Sequence, residues 1–318
     1  MEYRNMGGSG LKVSLAGLGC NNFGRRVDQR GTRAVVDAAI DAGITLFDTA
    51  DIYGDSLSEK YLGRALGKRR QDVVVVTKFG LPMRAGLGAR EDVNLGSRRY
   101  AIAACDASLR RLGSDYIDLY LLHTPDSETP IAETLDVMSR LVDQGKVRYI
   151  GCSNFAGWQI SDADWQAQIN GSQRFIAAQN EWSLLERDIE PEVVPACERF
   201  GLGIMPFFPL ASGLLSGKYK RDRKPPKGAR LAADDDYYSA LLSDANFTKI
   251  EALEAWTAKR GHSLLELAIA WLTSRPVVST VIAGATKARQ VKANVAATLG
   301  WRLNGDEIAA VETILKGG

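Results

Sequence analysis

Short apolar runs alternate with segments of helical periodicity along almost the whole chain. The run DVVVVTKF at residues 72–79 contains four consecutive valines, which predicts a strand buried on both faces. The eight predicted strands cover residues 13–20, 45–50, 72–79, 116–123, 147–154, 174–180, 202–209 and 278–284. The predicted helices cover residues 31–42, 58–66, 97–112, 131–144, 158–168, 191–200, 246–260, 263–274, 287–298 and 305–316.

Repeated strand–helix units indicate a parallel sheet. Because no linker or change of composition divides the repeats, we expect a single domain over residues 1–318, an α/β protein with the (β/α)8 TIM barrel fold. An open, doubly wound sheet is the alternative. The opening YRNMGGSGLKVS predicts a β-hairpin outside the barrel, and the chain ends in extra C-terminal helices. The connection at 211–245 is long enough to be a lid.

Composition narrows the classes of protein. The 318 residues are 45% hydrophobic and carry a net charge of only +2, so neither nucleic acid nor membrane is expected as a partner. The four cysteines are far apart and form no zinc or disulfide pattern, which favours a reducing compartment. No secretory leader or bilayer-spanning stretch is evident, and we therefore expect a soluble cytoplasmic protein that holds no metal.

Polar side chains stand where several predicted strands end. Asp48, Lys78 and His123 each close an apolar run, and Tyr53 lies in the loop after Asp48. Taken singly, these residues are readily explained as a polar turn, a solvated cap and a structural histidine. In a barrel, however, the carboxyl ends of the strands surround one mouth, where active sites form. The fold therefore predicts that the four side chains converge.

The four residue types suit proton transfer to or from an oxygen. A tyrosine hydroxyl has a pKa of about 10, and a neighbouring lysine ammonium favours its ionised form. A carboxylate can hold that lysine, and a histidine can orient the substrate oxygen. The sequence offers no activated serine or cysteine nucleophile and no HExxH metal motif.

Nucleotide-binding signals are less direct. GLLSGK at 213–218 is one residue short of a P-loop, and GLGCNNFG at 17–24 does not match GxGxxG. Thr286, Lys287 and Arg289 stand at the start of the helix after the last strand, which suits either a phosphate site or a capped surface helix. The basic run at 218–230 predicts a solvated loop, with a phosphate-facing lid as the alternative.

Several stretches together resemble the aldo-keto reductase superfamily, in the family's order over nearly the whole chain. They are GITLFDTADIYGDSLSEKYLGRAL, VVVVTKFG, DYIDLYLLH, GKVRYIGCSNF, PLASGLLSGKY and the GAT…N tail. The resemblance implies a catalytic tetrad of Asp48, Tyr53, Lys78 and His123. Tyr53 would be the general acid in carbonyl reduction, Lys78 held by Asp48 would lower the pKa of Tyr53, and His123 would position a small-molecule carbonyl substrate.

The same resemblance implies NADPH bound without a Rossmann fold, with NADH less favoured. Ser153, Asn154 and Gln179 would hold the carboxamide, and Phe207 would stack on the nicotinamide. Residues 209–218 would cover the pyrophosphate, and residues 284–287 with two later side chains would hold the adenosine and its 2′-phosphate. The cofactor residues in these two groups are Pro209, Leu210, Gly213, Leu215, Gly217 and Lys218, and Gly284, Ala285, Thr286, Lys287, Gln290 and Asn294.

Two departures from the family pattern concern the cofactor. Phe208 replaces a small hydroxyl residue of many relatives, and Lys287 or Arg289 would have to replace the usual phosphate partners. The alternatives to a reductase are a nucleotide-binding regulatory subunit, similar to the β-subunits of potassium channels, and a Schiff-base aldolase that uses Lys78. Substrate identity, reaction direction and oligomeric state stay open. Candidate pocket walls are Phe23, Arg25, Arg26, Trp182 and residues 218–245.

Overall fold

Eight parallel strands form the centre of the molecule in a computed structural model that describes residues 1–233 and 236–317. The strands are β1 (Tyr3–Asn5), β2 (Lys12–Ser14), β3 (Ala16–Gly19), β4 (Leu46–Asp48), β5 (Val74–Phe79), β6 (Ile117–Leu122), β7 (Val147–Ser153), β8 (Ala177–Gln179), β9 (Gly203–Ile204) and β10 (Val281–Gly284). An antiparallel hairpin of β1 and β2 precedes the parallel sheet. The parallel sheet has the order β10-β3-β4-β5-β6-β7-β8-β9.

Hydrogen bonds at the ends of this order curl the sheet into a barrel. The Ile204 amide donates to the Val277 carbonyl at 2.8 Å, and the Ser279 amide donates back to the Ile204 carbonyl at 3.0 Å. Just beyond, the Ile282 amide donates to the Pro206 carbonyl at 3.1 Å. These contacts join β9 to the approach of β10, which confirms the predicted (β/α)8 fold over the open doubly wound sheet.

Helices surround the sheet and continue past its last strand, as predicted. They are α1 (Gln29–Asp41), α2 (Leu57–Leu66), α3 (Arg98–Leu112), α4 (Ile131–Asp143), α5 (Gly157–Asn170), α6 (Val193–Phe200), α7 (Asp236–Leu241), α8 (Asp244–Ala258), α9 (Leu264–Thr273), α10 (Ala288–Gly300) and α11 (Gly305–Lys316). The predicted loop at 211–245 contains short helices, the 3₁₀ helices Ala211–Ser216 and Arg230–Ala232 and then α7. Asp234 and Asp235 of that predicted loop lie outside the described residues.

All eight predicted strands are longer than the observed ones, and two of them differ further for identifiable reasons. The run at 13–20 is two strands, because its first residues pair with β1 and the chain enters the barrel only at Ala16. The run at 202–209 contributes only Gly203–Ile204. Pro206 and Pro209 lack the amide hydrogen that a continued ladder requires.

Apolar side chains fill the barrel interior as far as the layer at the carboxyl ends of the strands. Leu46, Val76, Leu119, Leu121 and Ile282 form one buried cluster with residues of the other strands. The hairpin belongs to the same cluster through Met6 and Val13, which are both fully buried. The hairpin therefore plugs the barrel at the end opposite the strand carboxyl ends, and the other end is left for polar side chains.

We expect Gly63→Ala to destabilise the fold by about 2–3 kcal/mol, because overpacking a closed contact costs that much. Helix α2 crosses α3 so closely that a Cβ at Gly63 would lie 2.1 Å from the Leu112 carbonyl oxygen. Urea unfolding measures the effect. Gly305→Ala is the matched control, since a Cβ there meets nothing within 4 Å. Equal stabilities of the two variants would contradict the proposed crossing.

Candidate active site

Strand alternation brings the predicted site residues into one layer. Inward-facing side chains recur every second residue along a strand. Leu46 and Val76 belong to the barrel interior, so Asp48 and Lys78 are the next inward positions above them. The same step leads from Leu121 to His123 and from Ala177 to Gln179. The polar layer therefore lies directly above the apolar core, at the carboxyl ends of the strands.

Lys78 is the most enclosed member of this layer, with no exposed surface. Its Nζ lies 2.7 Å from Asp48 Oδ1 and donates to the Thr49 carbonyl at 2.7 Å and to the Tyr53 hydroxyl at 3.3 Å. Burial by itself would lower the pKa of Lys78, but the neighbouring Asp48 and Tyr53 raise it above its usual value. The side chain is therefore an ammonium with an acceptor for each of its three hydrogens.

Asp48 is fixed from two sides. Gln179 Nε2 donates to Asp48 Oδ1 at 2.9 Å, the same oxygen that meets Lys78. The carboxylate is only 3% exposed, so its charge acts through a poorly solvated medium. This contact joins β8 to β4 across the mouth and holds the carboxylate against the ammonium.

Tyr53 stands beside Lys78 in the loop after β4 and is half-buried. Burial raises the pKa of Tyr53, and the Lys78 ammonium acts in the opposite direction without overcoming it. Lys78 thus lowers the pKa of Tyr53 as predicted, but burial outweighs this effect, so the pKa is raised and the phenol stays protonated. A protonated hydroxyl hydrogen-bonded to an ammonium can give its proton to a substrate oxygen.

His123 completes the group from the end of β6. Its ring lies edge-on to that of Tyr53 with centroids 5.8 Å apart. Burial and the nearby Lys78 charge lower the pKa of His123 well below its usual value, so the imidazole is neutral at pH 7. Its Nδ1 has no hydrogen-bond partner among the described residues. A neutral ring in this position can offer one N–H to a substrate oxygen.

A cleft of about 630 Å³ opens over this layer. Tyr53, Asp48 and His123 line it, and Lys78 lies behind them. Leu215 and Gly217 do not line it: Leu215 is fully buried in the core, and Gly217 faces Glu254. The predicted cofactor residues that do line it are Ser153, Asn154, Gln179, Phe207, Pro209, Leu210, Gly213, Lys218, Gly284, Ala285, Thr286, Lys287, Gln290 and Asn294.

Six cationic side chains of the described residues line the cleft, and Lys227, Lys287 and Arg289 are three of them. Arg26, Lys218 and Arg230 line it, and none of them forms an ion pair within the described part of the chain. Burial, together with the neighbouring cations, lowers the pKa of Lys218 and that of Arg230. An uncompensated cluster of this kind favours an anionic ligand.

The side chains of the basic run at 218–230 thus lie in two different environments. Lys220 and Arg221 pair with Glu254 and Glu251 on the outside, as in the predicted solvated loop. Arg230 instead reaches across the mouth, donating to Asn22 Oδ1 at 3.1 Å, which favours the alternative of a phosphate-facing lid. Sequence reasoning missed Asn21 and Asn22 as lining residues, and it covered Ser212, Lys227 and Arg230 only within the predicted ranges 209–218 and 218–245. The basic run at 218–230 marks this segment, but the sequence does not show which of its cations face the cleft.

Three residues that the sequence suggests as pocket walls, Phe23, Arg25 and Trp182, do not line the cleft. Phe23 is fully buried, and Trp182 is 2% exposed, packs edge-on against Trp271 and donates from Nε1 to Glu190. Aromatic residues near strand ends can belong to the core between strands and helices, and the sequence does not separate the two cases. Phe208, which departs from the family pattern, lines the cleft with its ring 5.3 Å from the Arg230 guanidinium.

The backbone before the lid is strained. Phe208, Ala211 and Ser212 have positive φ values of 49°, 44° and 56°, which side chains with a Cβ seldom adopt. All but Ala211 line the cleft. Such conformations cluster at ligand-binding sites and support this segment as part of one.

Comparisons with known proteins agree with this geometry. The chain belongs to the aldo-keto reductase family: the model named Aldo/keto reductase family matches residues 16–316. It is 37% identical to a probable voltage-gated potassium channel subunit beta of Oryza sativa subsp. japonica, over 93% of this chain and 91% of that protein. It is 35% identical to the uncharacterized oxidoreductase YrpG of Bacillus subtilis, with the same coverage, 93% and 91%. A probable aldo-keto reductase 1 of Glycine max is 33% identical over 92% of this chain and 83% of that protein.

Family membership indicates an oxidoreductase. Aldo-keto reductases generally bind NAD(P)H and act on small-molecule carbonyl compounds. Across residues 1–233 and 236–317, every helix is too short or too polar to cross a bilayer. Within the same ranges, no group of three histidine, cysteine or acidic side chains is arranged to hold a metal ion.

Asp51 is a further buried carboxyl, in the loop that carries Tyr53. It is 1% exposed, and burial, with the nearby Glu59 charge, raises the pKa of Asp51 to about 7. The folded chain therefore holds a proton on Asp51 that the unfolded chain releases at about pH 4. Below pH 4 this group costs no stability. Stability is lost as the pH rises from about 4 to 7, and the loss is complete above 7.

We expect Asp51→Asn to raise the free energy of unfolding at pH 8 by on the order of 3 kcal/mol and to leave it nearly unchanged at pH 4. The amide has the shape of the acid and never ionises. Urea unfolding of both proteins between pH 4 and 8 measures the difference. A difference that is constant across this range would contradict the buried, ionisable state of Asp51.

Proposed function

We propose that this chain is an NADPH-dependent oxidoreductase that reduces aldehydes or ketones to alcohols, reversibly, with Tyr53 as general acid and base. The observation that carries the proposal is the contact of the buried Lys78 ammonium with both Tyr53 and Asp48. That arrangement has a chemical use only if the tyrosine exchanges a proton. Four buried, free cysteines support work in a reducing cytoplasm, and we treat residues 1–318 as one domain.

The cleft fits a nicotinamide dinucleotide. Near the tetrad it offers the side chains of Ser153, Asn154 and Gln179, which can hold a carboxamide. At a distance from them it offers the uncompensated cations Lys218 and Arg230, which suit phosphate groups. When bound, the reduced cofactor supplies the hydride that the carbonyl carbon receives.

The chain's own side chains handle the oxygen of the substrate. The neutral His123 ring directs an N–H at the carbonyl oxygen and fixes its position. Tyr53 then donates its phenolic proton to that oxygen as negative charge develops there. The Lys78 ammonium, held by Asp48, stabilises the phenolate that remains. In alcohol oxidation the same phenolate takes the proton back.

NADPH is proposed over NADH because basic side chains lie at the start of α10. Lys287 and Arg289 both line the cleft. The helix start is capped by Gln290, whose Oε1 accepts from the Thr286 and Lys287 amides at 2.8 and 3.1 Å. The capping leaves the two long basic side chains available to a 2′-phosphate.

A second candidate function is a regulatory subunit that binds the nucleotide and turns over slowly. The Oryza sativa relative supports it, since that protein is named a probable voltage-gated potassium channel subunit beta. The two functions share the cofactor and differ in turnover. Rapid multiple turnover with a reactive aldehyde supports the reductase, and tight NADPH binding with a single slow turnover supports the regulatory subunit. Borohydride trapping of an adduct on Lys78 would instead indicate the aldolase.

We expect Tyr53→Phe to lower kcat for a reactive aldehyde at least about 100-fold while NADPH still binds, because only the proton donor is removed. NADPH oxidation measures turnover, and cofactor fluorescence measures binding. Tyr61→Phe, in the adjacent helix α2, is the matched control and should retain the wild-type rate. Undiminished turnover in Tyr53→Phe would exclude Tyr53 as the acid.

We expect the double variant Lys287→Met, Arg289→Met to weaken NADPH binding about tenfold relative to NADH, since a charged hydrogen bond contributes about 1.5–3 kcal/mol. Fluorescence titration with each cofactor gives the two Kd values. Lys292→Met removes an exposed charge from the same helix outside the cleft and should change neither Kd. Equal weakening for NADPH and NADH would place the 2′-phosphate contact elsewhere.

A further inference from the structure

Two buried ion pairs flank Asp51. On one side Lys78 lies 2.7 Å from Asp48, and on the other Arg111 Nε lies 2.6 Å from Glu59 Oε2. Each of these cations already has its own carboxylate. Asp51 is therefore an additional acid with no cation of its own, and its Oδ1 has no hydrogen-bond partner among the described residues.

Asp51 is also tied directly to the catalytic layer. Its amide donates to the Lys78 carbonyl at 3.2 Å, and the Ser56 hydroxyl donates to its carbonyl at 2.8 Å. Tyr53 lies two residues further along the same loop. The backbone of Asp51 is thus bonded to that of Lys78, and the Lys78 ammonium is among the charges that act on the buried Asp51 carboxyl.

The groups that face this carboxyl come from four neighbouring elements. They are Glu59 of α2, Tyr100 and Arg111 of α3, Lys78 of β5 and Tyr120 of β6. Both carboxylate oxygens of Glu59 have partners: Oε1 accepts a hydrogen bond from Thr77 Oγ1 at 2.6 Å, and Oε2 accepts one from Arg111. Around Asp51, the Lys78 and Arg111 charges are balanced by Asp48 and Glu59, so ionisation of Asp51 leaves one excess negative charge.

We propose that Asp51 is a positioning residue which controls, through the charge of its buried carboxyl, how readily Tyr53 gives up its proton. This inference rests on the proposed reductase function. When Asp51 is neutral, the surroundings of Tyr53 and Lys78 favour the phenolate left by proton donation. When Asp51 is ionised, its negative charge opposes that phenolate, and Tyr53 becomes a weaker acid.

We expect the pH profile of carbonyl reduction to have a descending limb, in which the rate falls as the pH rises. In the wild type, kcat/KM for a nitro-substituted benzaldehyde with saturating NADPH should fall at least about threefold as the pH rises through about 7, where Asp51 ionises. Asp51→Asn should lose this limb and keep its pH 6 rate at pH 8. A purely structural role would lower the rate by the same factor at every pH, and that outcome would overturn the proposal.

Two further variants sharpen the test. Asp55→Asn removes a carboxylate from the same loop at an exposed site, where the side chain is 59% exposed and paired with Arg84. It should keep the wild-type limb. Tyr100→Phe removes the hydroxyl that hydrogen-bonds the Asp51 carboxylate, so the limb should move to higher pH. An unmoved limb in Tyr100→Phe, or a lost limb in Asp55→Asn, would assign the titration to another group.

A measurement without turnover separates this proposal from the function on which it rests. Protein labelled with 13C at the tyrosine ζ-carbons reports the ionisation of each phenol by NMR, and Tyr53→Phe identifies the Tyr53 signal. In Asp51→Asn, the pH at the midpoint of the Tyr53 ionisation should fall by about 0.5 pH unit or more. An unchanged midpoint overturns the proposal. A shifted midpoint in a chain that reduces no carbonyl compound supports the charge coupling and contradicts only the reductase.

Discussion

The buried ammonium of Lys78 is the constraint on which the upper half of the barrel depends. A charge with no exposed surface is tolerated only when each of its hydrogens has an acceptor. The acceptors are Asp48, the Thr49 carbonyl and Tyr53, which all belong to the end of β4 and its loop. Satisfying one lysine on β5 therefore fixes the path of the neighbouring loop. The Tyr53 hydroxyl reaches the cleft as a consequence of that path.

The barrel register makes this lysine possible. Asp48 pairs with Val76 in the sheet, so the next inward position on β5 brings Lys78 alongside the Asp48 carboxylate. Val76 in the apolar interior and Lys78 in the polar layer are successive inward-facing residues of β5. The hairpin, through Met6 and Val13, closes the other end of the interior. The chain thus keeps apolar packing and ionisable groups in adjoining layers of the same strands.

Sequence reasoning recovered the parts of the molecule that depend on strand periodicity. The eight strands and the convergence of Asp48, Tyr53, Lys78 and His123 follow from alternation and from the barrel rule, and both are observed. Sequence reasoning failed for side chains whose position is decided by tertiary packing. Trp182 is a core residue, and Arg230 crosses the mouth to Asn22, although nothing in the local pattern distinguishes either from its alternative. The lowering of the Tyr53 pKa by Lys78 was predicted, but the larger effect of burial was not, because the depth of burial is a property of the assembled site.

The ionisable groups of the upper layer are not required by the fold. The lower layers hold together with leucine, valine and methionine, and a buried ion pair is often no more stabilising than apolar residues of the same size. Asp51 goes further, since its raised pKa means that ionisation works against folding at neutral pH. A side chain that lowers stability and lies in the loop of Tyr53 is best explained by the chemistry at the mouth. The same reasoning applies to Arg26, Lys218 and Arg230, which repel one another until an anion lies between them.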